Sequence, residues 1–132
     1  MIVLDANALI AIFNRENGAV NARRFLRQHR GETWIHAMNF YEVFYGYERD
    51  MGRDFAERIW ANMDKAEIQV CNDLDRLWLR DASFIKSHHK MSFADSSAVA
   101  LARRLNCAQV STDHHELDAV KAAGVCDVLF IR

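Results

Sequence analysis

Apolar and β-branched residues gather in short runs at Ile2–Leu4, Thr33–His36, Ile68–Cys71, Ala108–Ser111 and residues 128–131. Runs this short, bounded by polar residues, read as buried strands. Between them the apolar positions recur with helical period. Residues 8–13 predict a short helix leaving the first strand. Residues 19–29 place Val20, Phe25 and Leu26 on one side, with Gly31 as a stop. Residues 39–49 align Phe40, Val43, Phe44 and Tyr47 on one stripe, and Arg53–Lys65 carries Phe55, Ile59, Trp60 and Met63. Residues 73–88 carry Leu74, Leu77, Trp78, Phe84 and Ile85. Helices at 92–105 and 116–123, the last closed by Gly124, complete the set. Strands alternating with helices predict an α/β fold whose central parallel β-sheet is covered on both faces. Right-handed crossovers bring the strand ends to one edge, where open sheets of this kind place their ligands.

Composition changes that picture little. A chain of 132 residues with 51% hydrophobic and 27% charged residues is long enough for one domain with a real core. It contains no proline and no low-complexity stretch, so a single domain over residues 1–132 is expected. No apolar run approaches the ~20 residues that span a bilayer. No basic stretch precedes the first strand, so no signal peptide is expected. Cys71, Cys107 and Cys126 are widely spaced and form no CxxC pair. A zinc site with His114 or His115 lacks ligand spacing, so buried thiols in a reducing cytoplasm are the expectation. The net charge of −1 conceals local basic clusters: Arg23-Arg24 with Arg27 and Arg30, Arg49 with Arg53, Lys86 with His88-His89-Lys90, and Arg103-Arg104.

Candidate chemistry lies in acids that a parallel sheet would gather. Asp5 ends the first strand, with Asn7 in the same turn. Glu42 stands in Asn39-Phe40-Tyr41-Glu42-Val43, Asp95 in Ser92-Phe93-Ala94-Asp95, and Asp113 in Val110-Ser111-Thr112-Asp113. Each has an ordinary alternative. Asp5 and Asp113 would serve as N-caps. Asp95 would close a capping box with Ser92, and Glu42 would be a solvated residue paired with Arg49. Glu116 and Asp118 compete with Asp113 for the fourth position. Four acids brought together repel one another unless a cation binds among them, and hard divalent cations prefer carboxylate oxygens.

The strand-Asp5-x-Asn7 start, the aromatic-rich Asn39-Phe40-Tyr41-Glu42-Val43-Phe44-Tyr45-Gly46 helix, Ser92-Phe93-Ala94-Asp95-Ser96-Ser97 and Val110-Ser111-Thr112-Asp113 together resemble the PIN domain. Within it they are most similar to the VapC-type toxin ribonucleases of toxin–antitoxin pairs. The resemblance implies a PIN-like three-layer α/β/α fold and a Mg²⁺- or Mn²⁺-dependent endoribonuclease. Asp5, Glu42, Asp95 and Asp113 would be its catalytic, metal-binding residues, with Asn7 and Thr112 as supporting or phosphate contacts. It also implies structured RNA (tRNA or ribosomal RNA loops) as substrate, a cognate antitoxin covering the acidic groove, and a homodimer. Phe44, Tyr45 and Trp60 are candidate interface aromatics. His114 and His115 beside the fourth acid read as an ordinary exposed pair. Two positions depart from the family pattern: Ala6, where Thr or Ser is common, and Leu117, where an aromatic often follows the fourth acid. The alternative is a PIN-like scaffold that binds RNA or protein without cutting. A phosphohydrolase with Asp5 as nucleophile would want a second Asp where Asn7 stands.

Overall fold

The computed structural model describes Met1–Arg132. The elements run β1 (Ile2–Leu4), α1 (Ala6–Asn14), α2 (Ala19–Gln28), β2 (Thr33–His36), α3 (Ala37–Met51), α4 (Arg53–Lys65), β3 (Ile68–Cys71), α5 (Arg76–His88), α6 (Phe93–Leu105), β4 (Ala108–Ser111), α7 (His114–Ala122) and β5 (Val128–Phe130). All neighbouring strands pair in parallel in the order β3-β2-β1-β4-β5. The chain therefore builds outward from β1 in one direction, then returns to add β4 and β5 on the other side. That reversal opens a crevice beyond the carboxyl ends of β1 and β4, the position where open α/β sheets hold ligands.

Strand alternation sorts the core into two layers. Ile2 and Leu4 of β1 point to one face, where they pack with Ile35, Val110 and residues of α1 to α4. Val3 points to the other, against Trp78, Ile85, Leu101, Leu117 and Val120 of α5, α6 and α7. The result is the expected α/β/α sandwich. Asp5, two residues beyond Val3, continues the alternation toward α6.

Two expectations about apolar stripes are corrected. Val20 is exposed, because α2 buries its small residues Ala19 and Ala22 instead. In the 73–88 segment the helix starts only at Arg76, capped by Asp75, whose side chain accepts the Trp78 N–H at 2.9 Å. Trp78, Ala82 and Ile85 turn inward, leaving Leu74, Leu77 and Phe84 exposed. Helices α1, α3 and α7 also begin two residues earlier than their apolar stripes suggested, since each starts directly after its cap.

Candidate metal centre

Asp5, Asp95 and Asp113 are each held at the start of a helix, whereas Glu42 lies further along α3. Asp5 is 1% exposed and caps α1, its Oδ1 accepting the Ala8 N–H at 2.8 Å. Its Oδ2 accepts an N–H from Gln109 Nε2 at 3.2 Å, and the Ser111 side chain favours the charged form of the same carboxyl. Burial pushes the Asp5 carboxyl up to about 6. Those hydrogen bonds oppose the rise, and the nearby charge of Asp95 adds to it.

Asp95 sits in the first turn of α6, where Ser92 caps the helix but the reciprocal bond of a capping box, from the Ser92 backbone N–H to the Asp95 carboxylate, does not form. Its N–H donates to Ser92 Oγ at 3.0 Å, and the Ser92 hydroxyl donates to Asp95 Oδ2 at 2.8 Å. Asp113 caps α7 by accepting the Glu116 N–H at 3.2 Å, while its own N–H donates to Ser111 Oγ at 3.0 Å. Cap and cluster member are thus one role for these residues: the cap bond fixes where each carboxylate stands.

Carboxylate oxygens of Asp95, Asp113 and Glu116 all lie within 4.8 Å of one another. A hydrogen bond with Asp95, then burial, then the charges of Asp95 and Asp113 push the Glu116 carboxyl up to about 7. Two carboxyl groups share a hydrogen bond only when one carries the proton. Otherwise Glu116 Oε2 is stranded, buried without a donor. Glu42 faces this group from α3, its carboxyl raised by partial burial and by Asp95. The Glu42–Arg49 pair suggested by spacing does not form, because Arg49 binds Asp50 and the Tyr45 hydroxyl instead.

An all-oxygen donor set, an oxygen lacking any donor and mutual spacing under 4.8 Å fit a hard divalent cation. The fourth strand's segment thus contributes two acids, Asp113 and Glu116. Asp118 turns away: His114 Nδ1 contacts it at 3.1 Å, with Nε2 on the Arg132 carbonyl at 2.8 Å and its ring stacked on Phe130. Asn7 is exposed on the first turn of α1, and Thr112 is half-buried between Ser111 and Asp113. Cys71, Cys107 and Cys126 are free, and burial raises all three thiols.

Sequence reasoning missed the groups that hold the acids in place. Asn39 is fully buried; its Oδ1 accepts the Ala6 N–H at 3.3 Å and its Nδ2 donates to the Ala94 carbonyl at 2.9 Å. It ties the start of α1 and α6 to α3. Gln109 and Ser111 do the same for Asp5. The one available signal was a glutamine inside an otherwise apolar strand run.

A parallel α/β/α sandwich with acids converging at its switch point defines a protein built around an acidic, cation-competent crevice. The chain belongs to the PIN domain family, whose model matches residues 2–123. Its fold is similar to that of a toxin–antitoxin complex from Klebsiella pneumoniae, with TM-score 0.74 and 15% identity over 100% of this chain and 98% of that one. It is similar to Mycobacterium tuberculosis VapC20, a Sarcin-Ricin loop cleaving toxin, with TM-score 0.72 and 17% identity over 94% and 95% of the two chains. It is also similar to DNA-bound VapBC from Salmonella typhimurium, with TM-score 0.75 and 16% identity over 99% and 98%. At these identities the likeness is one of fold. No curated protein sequence matches the chain.

Proposed function

We propose that this chain, as one PIN domain over residues 1–132, is a divalent-metal-dependent endoribonuclease and the toxin of a VapBC-type pair. The observation that carries the reading is the Asp95–Asp113–Glu116 cluster at the switch point beside buried Asp5. Asp5, Asp95, Asp113 and Glu116 would hold Mg²⁺ or Mn²⁺, with Glu42 joining directly or through water. Such a cation would neutralise phosphate charge, orient the scissile group and make an attacking water more acidic.

The chain's own groups have separable tasks. The caps hold the carboxylates rigidly, so their mutual repulsion is set before any ligand arrives. The positive N-terminal ends of α1, α6 and α7 offset part of that repulsion. A proton held by Glu116 must leave when a cation enters. Asn7 and Thr112, at the rim, would contact the phosphate. Basic side chains attract RNA by releasing its counterions. Of the clusters seen in the sequence, Arg103 and Arg104 are paired with Asp81 and with Asp73 and Asp75, whereas Lys86 has no acid partner: its Nζ donates to the Met91 carbonyl at 2.8 Å and lies over the exposed Phe93 ring. Lys86 with His88, His89 and Lys90 is therefore the better RNA-facing cluster. Loops of tRNA or ribosomal RNA, with unpaired bases, suit such a site.

An apolar groove of about 550 Å³ between the start of α3, α5 and α6 supports the partner reading. It is lined by Met38, Leu74, Leu79 and Phe93, the last 73% exposed. A homodimer partner or a cognate antitoxin would cover it, in a cytoplasmic setting. Of the interface aromatics, Tyr45 and Trp60 are both exposed; Tyr45 stacks on Tyr41 and holds Arg49, while Phe44 and Trp60 pack tilted or edge-on against Phe40 and each other. A scaffold that binds without cutting would have no use for carboxyl groups that repel one another.

The deciding experiment is cleavage of tRNA and ribosomal RNA with Mg²⁺ or Mn²⁺ by wild type, Asp5→Ala and Asp95→Ala. Losing an outer partner of a metal site typically costs 10–100-fold, so losing a ligand should slow cleavage by more than about 100-fold. Variants that cut as fast as wild type would refute the reading.

A further inference from the structure

Strand β4 lies between β1 and β5 and is covered on both sides, a place where parallel sheets carry apolar residues. Gln109 stands at its second position, wholly buried, with its register partners Val3 and Val128 also buried. Its Nε2 donates to Asp5 Oδ2 at 3.2 Å across 104 residues of sequence. Its Oε1 has no hydrogen-bond partner at all. A buried carbonyl without a donor lowers stability, and an apolar side chain of the same length would fill the space without that penalty. The fold alone therefore gives no reason for glutamine here. The carboxylate it touches does.

We propose that Gln109 is the positioning residue for Asp5, its carboxamide N–H fixing the carboxylate for cation binding. The proposal rests on the reading of Asp5 as a metal ligand. A carboxylate offers about four lone-pair sites. The Ala8 N–H occupies one on Oδ1 and the Gln109 N–H one on Oδ2. The carboxylate plane is thereby set, and the directions left over are those available to an ion. The Ala8 N–H belongs to the backbone of α1, so any chain with this fold would have it. Gln109 reaches up from the core two residues below Ser111, and its placement serves Asp5 alone.

Mn²⁺ binding followed by electron paramagnetic resonance, with metal-free thermal melts on the same samples, tests this in wild type, Gln109→Met, Gln109→Leu and Asp5→Asn. Both Gln109 variants should stay folded without metal and melt close to the wild-type temperature, because losing the N–H to Asp5 and losing the unpaired Oε1 act in opposite directions. They should bind Mn²⁺ about tenfold or more weakly, as loss of a metal site's outer partner does, with an altered bound-ion spectrum. Asp5→Asn should bind more weakly still. Unchanged affinity in both Gln109 variants, with binding lost in Asp5→Asn, overturns the proposal and leaves the nuclease reading standing. Weaker binding accompanied by a marked fall in metal-free melting temperature in both variants assigns Gln109 to the fold and also overturns it. A wild-type protein that binds no Mn²⁺ removes the proposal and the nuclease reading together.

Discussion

Asp5 carries a burden that its neighbours only partly relieve. In the folded protein it keeps its proton to about pH 6, against 3.8 for an ordinary aspartate, with burial as the main cause. A folded-state pKa raised in this way favours folding below pH 3.8, and that contribution disappears as pH climbs from 3.8 to about 6. The gap corresponds to roughly 3 kcal/mol. Above it, the metal-free fold holds a buried charge. Asp5→Asn removes that charge while keeping an oxygen for the Ala8 N–H. Turning over the Gln109 carboxamide would then give its stranded Oε1 a donor from the new amide. The metal-free variant should therefore melt several degrees above wild type at pH 7.5 and show a flatter stability profile between pH 4 and 6.5, while cleaving no RNA. A melting temperature at or below wild type in calorimetry would contradict this account of Asp5.

Among the elements, the strands were legible in the sequence because β-branched runs bounded by polar residues have few other uses. The helix starts slipped because a cap lies outside the apolar stripe that reveals its helix: Asp75 rather than Asp73 begins α5, and Asp113 begins α7 three residues before Glu116. Of the acids, Asp95 and Asp113 do come together, but with Glu116 as the third member of the close group rather than Asp5 or Glu42. What holds them was not legible. Asn39 reaches Ala6 and Ala94, 33 and 55 residues away, and no local spacing announces such contacts. Asn39→Ala would strip the donor from the Ala94 carbonyl and the acceptor from the Ala6 N–H in a buried place, at roughly 1–3 kcal/mol for each group left unpaired. Urea denaturation should show a loss of that order. RNA cleavage, under conditions where the variant is fully folded, should fall as well, because the starts of α1 and α6 carry Asp5 and Asp95. Full activity in a destabilised Asn39→Ala protein would confine Asn39 to the fold.

At the scale of the whole molecule, the sheet order explains why this crevice is acidic. Growth outward from β1 in one direction, then a return to β4, places the ends of β1 and β4 side by side, with α6 capping the gap. Asp5, Asp95 and the Asp113–Glu116 pair come from three separate stretches of helix start and strand end, so no rearrangement within one stretch relieves their repulsion. Protons relieve it in the metal-free protein, on Asp5 up to about pH 6 and on Glu116 up to about pH 7. A divalent cation must displace those protons, so its binding should strengthen as pH rises through this range. Ligand binding to the folded state raises stability by RT ln(1 + [L]/Kd). A fixed concentration of Mn²⁺ should then raise the melting temperature clearly at pH 8 and only slightly at pH 5.5. Asp95→Asn should abolish the increment at both values, since Asp95 is the acid to which Asp5, Glu42 and Glu116 are all coupled. An equal Mn²⁺ increment at both pH values would mean that the ion binds elsewhere and that these carboxyl groups do not hold the protons assigned to them.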